Sequence, residues 1–216
     1  DTPDEVPEDL RQADGETAMP DPIFKTGTTT VNVHFLHYRP ELGKEANLYV
    51  NTLFGTQQPY TATIDPETGK ASFSFLQCGT AKAAVVLNNS AAGSAWLAPG
   101  ETTELYVDMR VLGYYLSLRR EEKKKTTYPA TFQRLYSSGT YANLNNIDNQ
   151  LDNSPYYGMN LLTGEFADYR MTSAEYAAHV VDTYKTLEDS IARSNLSPLK
   201  KEMKLLSLIH ISEPTR

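Results

Sequence analysis

Few residues in this 216-residue sequence are of types that do chemistry, and they are scattered. His34 and His37 lie three apart, a spacing that on a helix would offer two imidazoles to one metal ion. The segment around them, Thr28 to Tyr38, is rich in β-branched and aromatic residues and reads as a strand. In a strand an odd separation sends two side chains to opposite faces, so no shared metal is expected. Asn145, Asn146, Asp148, Asn149, Asp152 and Asn153 form an oxygen-rich patch. A calcium loop needs alternating acids, a central glycine and a closing glutamate, and that order is missing. The patch reads as a polar helix end. Cys78 is the sole cysteine, cannot form an internal disulfide, and has no Cys or His beside it. It reads as a small buried residue. His179 stands beside an apolar helical stripe without an obvious acid partner. There is no G-x-S-x-G elbow, P-loop, C-x-x-C or H-E-x-x-H. No catalytic, cofactor-binding or metal-binding residue is therefore named, and no cofactor is expected.

Fourteen tyrosines, among them Tyr114-Tyr115 and Tyr156-Tyr157, join Trp96 as the one unusual compositional feature. Sugar-stacking platforms use such rings. Packing in a sheet and between helices accounts for them more simply.

The elements that must position these residues change character along the chain. Residues 1 to 22 carry eight acids against Arg11, and four prolines, with neither helical nor strand period. They read as a solvated acidic tail. The net charge of -7 resides there, so the remainder is balanced and has no field to draw it to nucleic acid. No apolar run approaches the ~20 residues that cross a bilayer. Neither an initiator Met nor a signal peptide opens the sequence, which predicts a processed or partial start.

From residue 23 to residue 110 the pattern is strands: Thr28–Tyr38, Ala46–Phe54, Tyr60–Ile64, Ala71–Phe75, Ala81–Leu87 and Leu105–Val107. Turn chemistry at Arg39–Gly43 and Asp65–Gly69 separates them. Tyr60–Ile64, the Asp65–Gly69 turn and Ala71–Phe75 read as a hairpin. Asn88–Ser94 reads as a small polar loop. Ala95–Asp108, through Pro99-Gly100, reads as a hairpin that closes the sheet. About seven short strands predict an antiparallel β-sandwich followed by a small helical segment, an α+β fold.

The helical segment is placed at 111 to 205. Val111–Leu118 fits helix or strand. Arg119–Lys125 is a mixed charge run, with Glu121 and Glu122 before three lysines, and reads as a solvated face. Ala142, Leu144, Ile147 and Leu151 sit on a short helix. Thr172 and Glu175 form a capping box, and Tyr176, Ala177, Val180, Val181, Tyr184, Leu187 and Ile191 make one apolar stripe. Asn195 is a plausible stop. Ser197-Pro198 starts another helix, giving a helical hairpin.

Three stretches together resemble the region before the thioredoxin domain in TlpA-like thiol-disulfide oxidoreductases of the bacterial envelope. They are Asp65 to Phe75, Leu97 to Asp108 (L-A-P-G-E-T-T-E-L-Y-V-D), and Tyr136 to Asn145 (Y-S-S-G-T-Y-A-N-L-N). The helical hairpin from Thr172 agrees in order and length. The resemblance covers about residues 25 to 205. It implies a periplasmic or envelope location, a following thioredoxin domain with a W-C-x-x-C site, and a protein client. No residue here matches that site, and Cys78 corresponds to no part of it.

Leu206 to Arg216 (L-S-L-I-H-I-S-E-P-T-R) resembles the translation of a transposon-end sequencing adapter. On that reading residues 206 to 216, His210 included, carry no biology, and the parent protein continues past about Leu205. The expected function is that of a non-catalytic N-terminal region that positions the missing thioredoxin domain or binds its client. The alternative is an envelope module that binds glycan or peptide.

Overall fold

A computed structural model describes residues 5–52, 55–118, 133–150 and 170–212. The charge run at 119–125, Leu151, Asp152, Asn153 and Tyr156-Tyr157 lie outside the described residues. The fold is α+β, with a sheet-rich front half. Two compact units divide the chain, one of residues 1–14 and 20–153, the other of residues 15–19 and 154–216. The first unit thus ends after Asn153 rather than near Asp108.

The first unit is a sandwich of two four-stranded sheets. Its strands are β1 (Thr26–Leu36), β2 (Glu45–Asn51), β3 (Gln57–Thr63), β4 (Lys70–Cys78), β5 (Ala81–Leu87), β6 (Ser90–Leu97), β7 (Thr102–Asp108) and β8 (Leu135–Ser137). One sheet runs β4-β1-β7-β8 and the other β3-β2-β5-β6. Pairing is antiparallel except between β1 and β7, which are parallel. Burial alternates along the strands as a half-buried pleat requires: Val31, Val33 and Phe35 of β1, Leu48 of β2, Val85 of β5 and Leu105 of β7 fill the space between the sheets.

The two expected hairpins are not hairpins. β3 pairs with β2, and β4 with β1, so the Asp65–Gly69 turn carries the chain from one sheet to the other. Asp65 makes the turn as anticipated: its carboxylate accepts from Glu67 N at 2.8 Å and Thr68 N at 3.0 Å, and Gly69 has a φ of 65°. Pro99-Gly100 likewise crosses between sheets, from β6 to β7. Gly100 has a φ of 80°, and Gly27 of β1 lies so close that a Cβ there would meet the Gly100 Cα at 2.7 Å. A turn of this chemistry serves an arch as well as a hairpin, because it fixes the reversal and not the partner.

The true tight hairpin joins β5 to β6. Asn88 and Asn89 occupy it with φ of 46° and 61°, the pair of positive values a two-residue turn of matching twist needs. The small polar loop expected at Asn88–Ser94 is therefore mostly strand. Its small residues have a reason: a Cβ on Gly93 would sit 2.8 Å from Leu135 Cβ and 2.7 Å from Asn149 Oδ1.

After β7 come α1 (Met109–Ser117), α2 (Ala142–Asn149), α3 (Ser173–Arg193) and α4 (Pro198–Ser212). Asp108 is the N-cap of α1 and accepts from the N–H groups of Arg110 and Val111. In the acidic leader, residues from Glu5 on bond to their own unit, where a solvated tail was expected. Asp14 exchanges hydrogen bonds with the Asn143 side chain at 2.6 and 2.9 Å, and Asp21 O accepts from Tyr141 Oη. The leader's described acids, from Glu5 to Asp21, are exposed while its main chain finds partners, which net charge alone does not reveal.

In the second unit α3 and α4 form the expected hairpin. The capping box is present: Thr172 Oγ1 accepts from Glu175 N, and Thr172 N donates to the Glu175 carboxylate at 2.7 Å. Ile191 and Leu208 are buried, with Tyr184, Leu187, Leu196 and Leu205 against them. The N-terminal half of the stripe is only partly covered: Tyr176 and Val180 are half-buried, and Val181 is 50% exposed. With 21 residues in α3 against 15 in α4, the partner helix is the shorter. α4 continues into the adapter-like stretch, since its apolar residues suit a helix, and brings Leu208 into the core.

Candidate functional site

The side chains that come together are on the outer face of the sheet containing β1. β1 lies between β4 and β7, so the register sets its outward residues beside theirs. Lys70, His34, Tyr106 and Tyr136 form one row across four strands; Ser72, Asn32 and Glu104 form the next. Three of the four strands contribute to a continuous chain of bonds. Ser72 Oγ donates to Asn32 Oδ1 at 2.8 Å, and Asn32 Nδ2 donates to Glu104 Oε1 at 2.7 Å. The other carboxylate oxygen lies 2.6 Å from His34 Nε2. The His34 ring stacks on Tyr106 with centroids 4.6 Å apart and planes 10° from parallel.

Burial pushes the Glu104 carboxyl up, but the hydrogen bonds from Asn32 and His34 and the charges of His34 and Lys70 outweigh it. The net effect holds Glu104 below its ordinary value of 4.5. Burial raises the Tyr106 phenol, and the charges of Glu104 and Asp9 add to the effect. A carboxyl depressed by folding stabilises the fold above its unfolded pKa, and that contribution is lost as pH falls through the folded value. Glu104→Gln should therefore lower stability by about 1 kcal/mol near neutral pH, given partial exposure. The gap between the two proteins should close as the pH drops below about 4. Urea unfolding followed by Trp96 fluorescence, at neutral and acid pH, measures it. A gap unchanged by acid would show that the carboxylate is not what holds the network.

A carboxylate-bonded imidazole can move a proton. Yet the hydroxyl in this network, Ser72, bonds to Asn32 and not to His34, so the network supplies no activated nucleophile. What it offers is a half-exposed row of hydrogen-bonding groups suited to recognition. Among the described residues, no group of three or more His, Cys, Asp and Glu is placed to hold a metal ion.

The remaining residues singled out from sequence are dispersed. His37 follows β1 at a φ of 57°, with Nε2 buried and without a hydrogen-bond partner, so it is not on the strand at all. His179 is half-buried on α3. Cys78 is exposed, not buried, because the alternation of β4 turns Gln77 inward and Cys78 outward. Trp96 is half-buried with Lys82 Nζ over its ring at 5.4 Å, so its indole is not an open sugar platform on that side. Lys82 in turn pairs with Asp148 at 2.8 Å.

Within the oxygen-rich patch Asn145, Asn146 and Asn149 are buried and structural rather than a polar helix end, while Asp148 is half-buried. Asn145 accepts from Trp96 N at 2.6 Å and donates to Trp96 O at 3.0 Å. Asn149, one turn on, does the same to Ser94 at 3.3 and 2.7 Å. Asn146 exchanges bonds with Ser137 of β8 at 2.9 and 3.3 Å. Side chains of α2 thus occupy the edge strand of each sheet in the way another strand would. Asn at i and i+4, matching a two-residue strand repeat, was the sequence signal for this.

No family model matches the chain, and no curated protein matches it.

Proposed function

We propose that this chain is the non-catalytic region preceding the redox domain of a TlpA-like envelope thiol-disulfide oxidoreductase, where it holds that domain or binds its client. One observation carries the reading: a β-sandwich is followed in chain order by a helical hairpin, the order the resemblance implies. The residues of the resemblance also fall at structural joints. Asp65–Phe75 is an arch and β4, Leu97–Asp108 an arch and β7, and Tyr136–Asn145 leads from β8 into α2. A single cysteine cannot cycle between dithiol and disulfide within one chain, so chemistry would lie in a following domain. Reading the gene beyond the Leu205 codon in its source genome tests this. A downstream W-C-x-x-C is the expected result; a stop codon or an unrelated domain there would overturn it. The chain alone should reduce no insulin.

The second reading, an envelope module for glycan or peptide, is favoured by the half-exposed row Ser72, Asn32 and Glu104. Glycan-array or peptide-array binding that disappears in Glu104→Gln would support it.

A further inference from the structure

The two open sheets of the sandwich have four edges, and three of them are closed or blunted against a further strand. Main-chain groups of β6 and β8 bond to Asn145, Asn149 and Asn146 of α2. In the β2–β3 register Ile64 N donates to Lys44 O at 2.9 Å, so even-numbered residues of β3 bond to β2. Pro59 is thereby turned to the free side, where it has no N–H to offer. The fourth edge is β4. Phe35 N donates to Gly69 O at 2.9 Å and Gly79 N to Lys25 O at 2.8 Å, both in line with the β1–β4 register. Odd-numbered residues of β4 therefore bond to β1, and even-numbered ones aim their N–H and C=O away from it. Lys70 O accepts from Asp65 N at 2.9 Å on that outer side, as this assignment requires. Beyond it, the main-chain N–H and C=O of Ser72, Ser74, Leu76 and Cys78 have no partner among the described residues. β4 contains no proline and, apart from Lys70 at its start, no charge, and Leu76 is 68% exposed. The devices that blunt the other edges are missing here.

Open main chain of this kind is completed by another strand. The residues of β4 select which one. β4 runs from Lys70 to Cys78, and its midpoint, Ser74, is an edge-facing residue. Turned about a two-fold axis through Ser74, the strand pairs antiparallel with itself along its whole length. Ser72 then faces Leu76 of the second copy, and Ser74 faces its equivalent. On the inner face Phe73 lies opposite Phe75 of the second copy, an aromatic cross-strand pair made twice. The two Lys70 side chains fall at opposite ends, each facing a Cys78, so no like charges meet. We propose that β4 pairs with β4 of a second copy in an antiparallel two-fold dimer, which joins the two β1-containing sheets into one. The contact uses the sandwich alone and holds whether or not a redox domain accompanies it.

Sedimentation velocity on the full chain should show a monomer–dimer equilibrium in the micromolar range, as suits a one-strand contact. Ser74→Pro removes the central N–H of the free edge without touching the β1–β4 ladder. Its circular dichroism should stay unchanged while the dimer weakens at least about tenfold. Ser74→Ala keeps the main chain and should dimerise like the native protein. In the native dimer a short thiol–amine cross-linker should join Cys78 to Lys70. Along one strand these residues are about 27 Å apart, out of its reach within a single copy. A protein that stays monomeric, even one that takes a free extended peptide on β4, would overturn the pairing. So would association that persists in Ser74→Pro, or a dimer without the Cys78–Lys70 link.

Discussion

Replacing Asn145 by leucine should destabilise the first unit by roughly 3 kcal/mol, although the new side chain is similar in size and apolar. Asn145 is fully buried and serves three groups: the N–H and C=O of Trp96 and the Ser137 hydroxyl. Leucine removes the partners and leaves those main-chain groups at the β6 edge without their partner. Each such loss costs about 1 kcal/mol, and more where the orphaned group stays dry. Asn149→Leu removes the pair at Ser94 and the bond to Asn145 O and should cost somewhat less. Urea unfolding followed by both Trp96 fluorescence and circular dichroism provides the measurement, because the indole sits beside the altered residue. An unchanged midpoint would mean that the β6 edge finds other partners. Exposure of that edge should also make the variant self-associate, visible as concentration-dependent elution by size exclusion.

Gly27→Val is expected to cost about 3 kcal/mol, at the upper end of overpacking effects. The added Cβ would meet main-chain atoms, Gly100 Cα at 2.7 Å and Gly100 N at 2.9 Å, and main chain cannot swing aside as a flexible side chain would. Either β1 must move away from the second arch, breaking the Thr30 N to Glu101 O bond of 2.9 Å, or the arch must rebuild. Gly100→Ala probes the other partner. It meets open space except for Gly27 Cα at 3.6 Å, so its cost is mainly the positive φ, about 1–2 kcal/mol. If Gly27→Val proves milder than Gly100→Ala, the close approach of β1 to this arch is wrong.

What could be read from sequence was what depends on neighbours in sequence. The alternation of Ala71, Phe73 and Phe75 with serines gave β4, and Thr172 with Glu175 gave the start of α3. Asp65 and Gly69 gave a turn at the right residues. Which strand each turn led to was not legible, because an arch and a hairpin ask the same residues for the same φ. β6 was missed where Ser90–Ser94 is small and weakly β-forming; the reason lies in Leu135 and Asn149, far along the chain. The His34–Glu104 pair was invisible for a related reason. Asn32 stands beside Glu104 only because β1 and β7 are parallel neighbours, and nothing local to either strand announces that. The asparagines of α2 looked like solvent-facing polarity because an amide bonded to a strand edge and one bonded to water are the same residue type.

The position of β1 carries a consequence for how the molecule is made. The sheet β3-β2-β5-β6 assembles from the adjacent pairs β2–β3 and β5–β6, whose contacts are local in sequence. β1 emerges first but lies in the middle of the other sheet, with β4 on one side and β7 on the other. On a ribosome it must wait, apolar face uncovered, until the chain through Asp108 has appeared. Contacts so distant in sequence form slowly, because the intervening loop must close before they contribute. β1 is thus the segment of this sandwich with the longest interval of vulnerability during synthesis, and the one a chaperone would meet first.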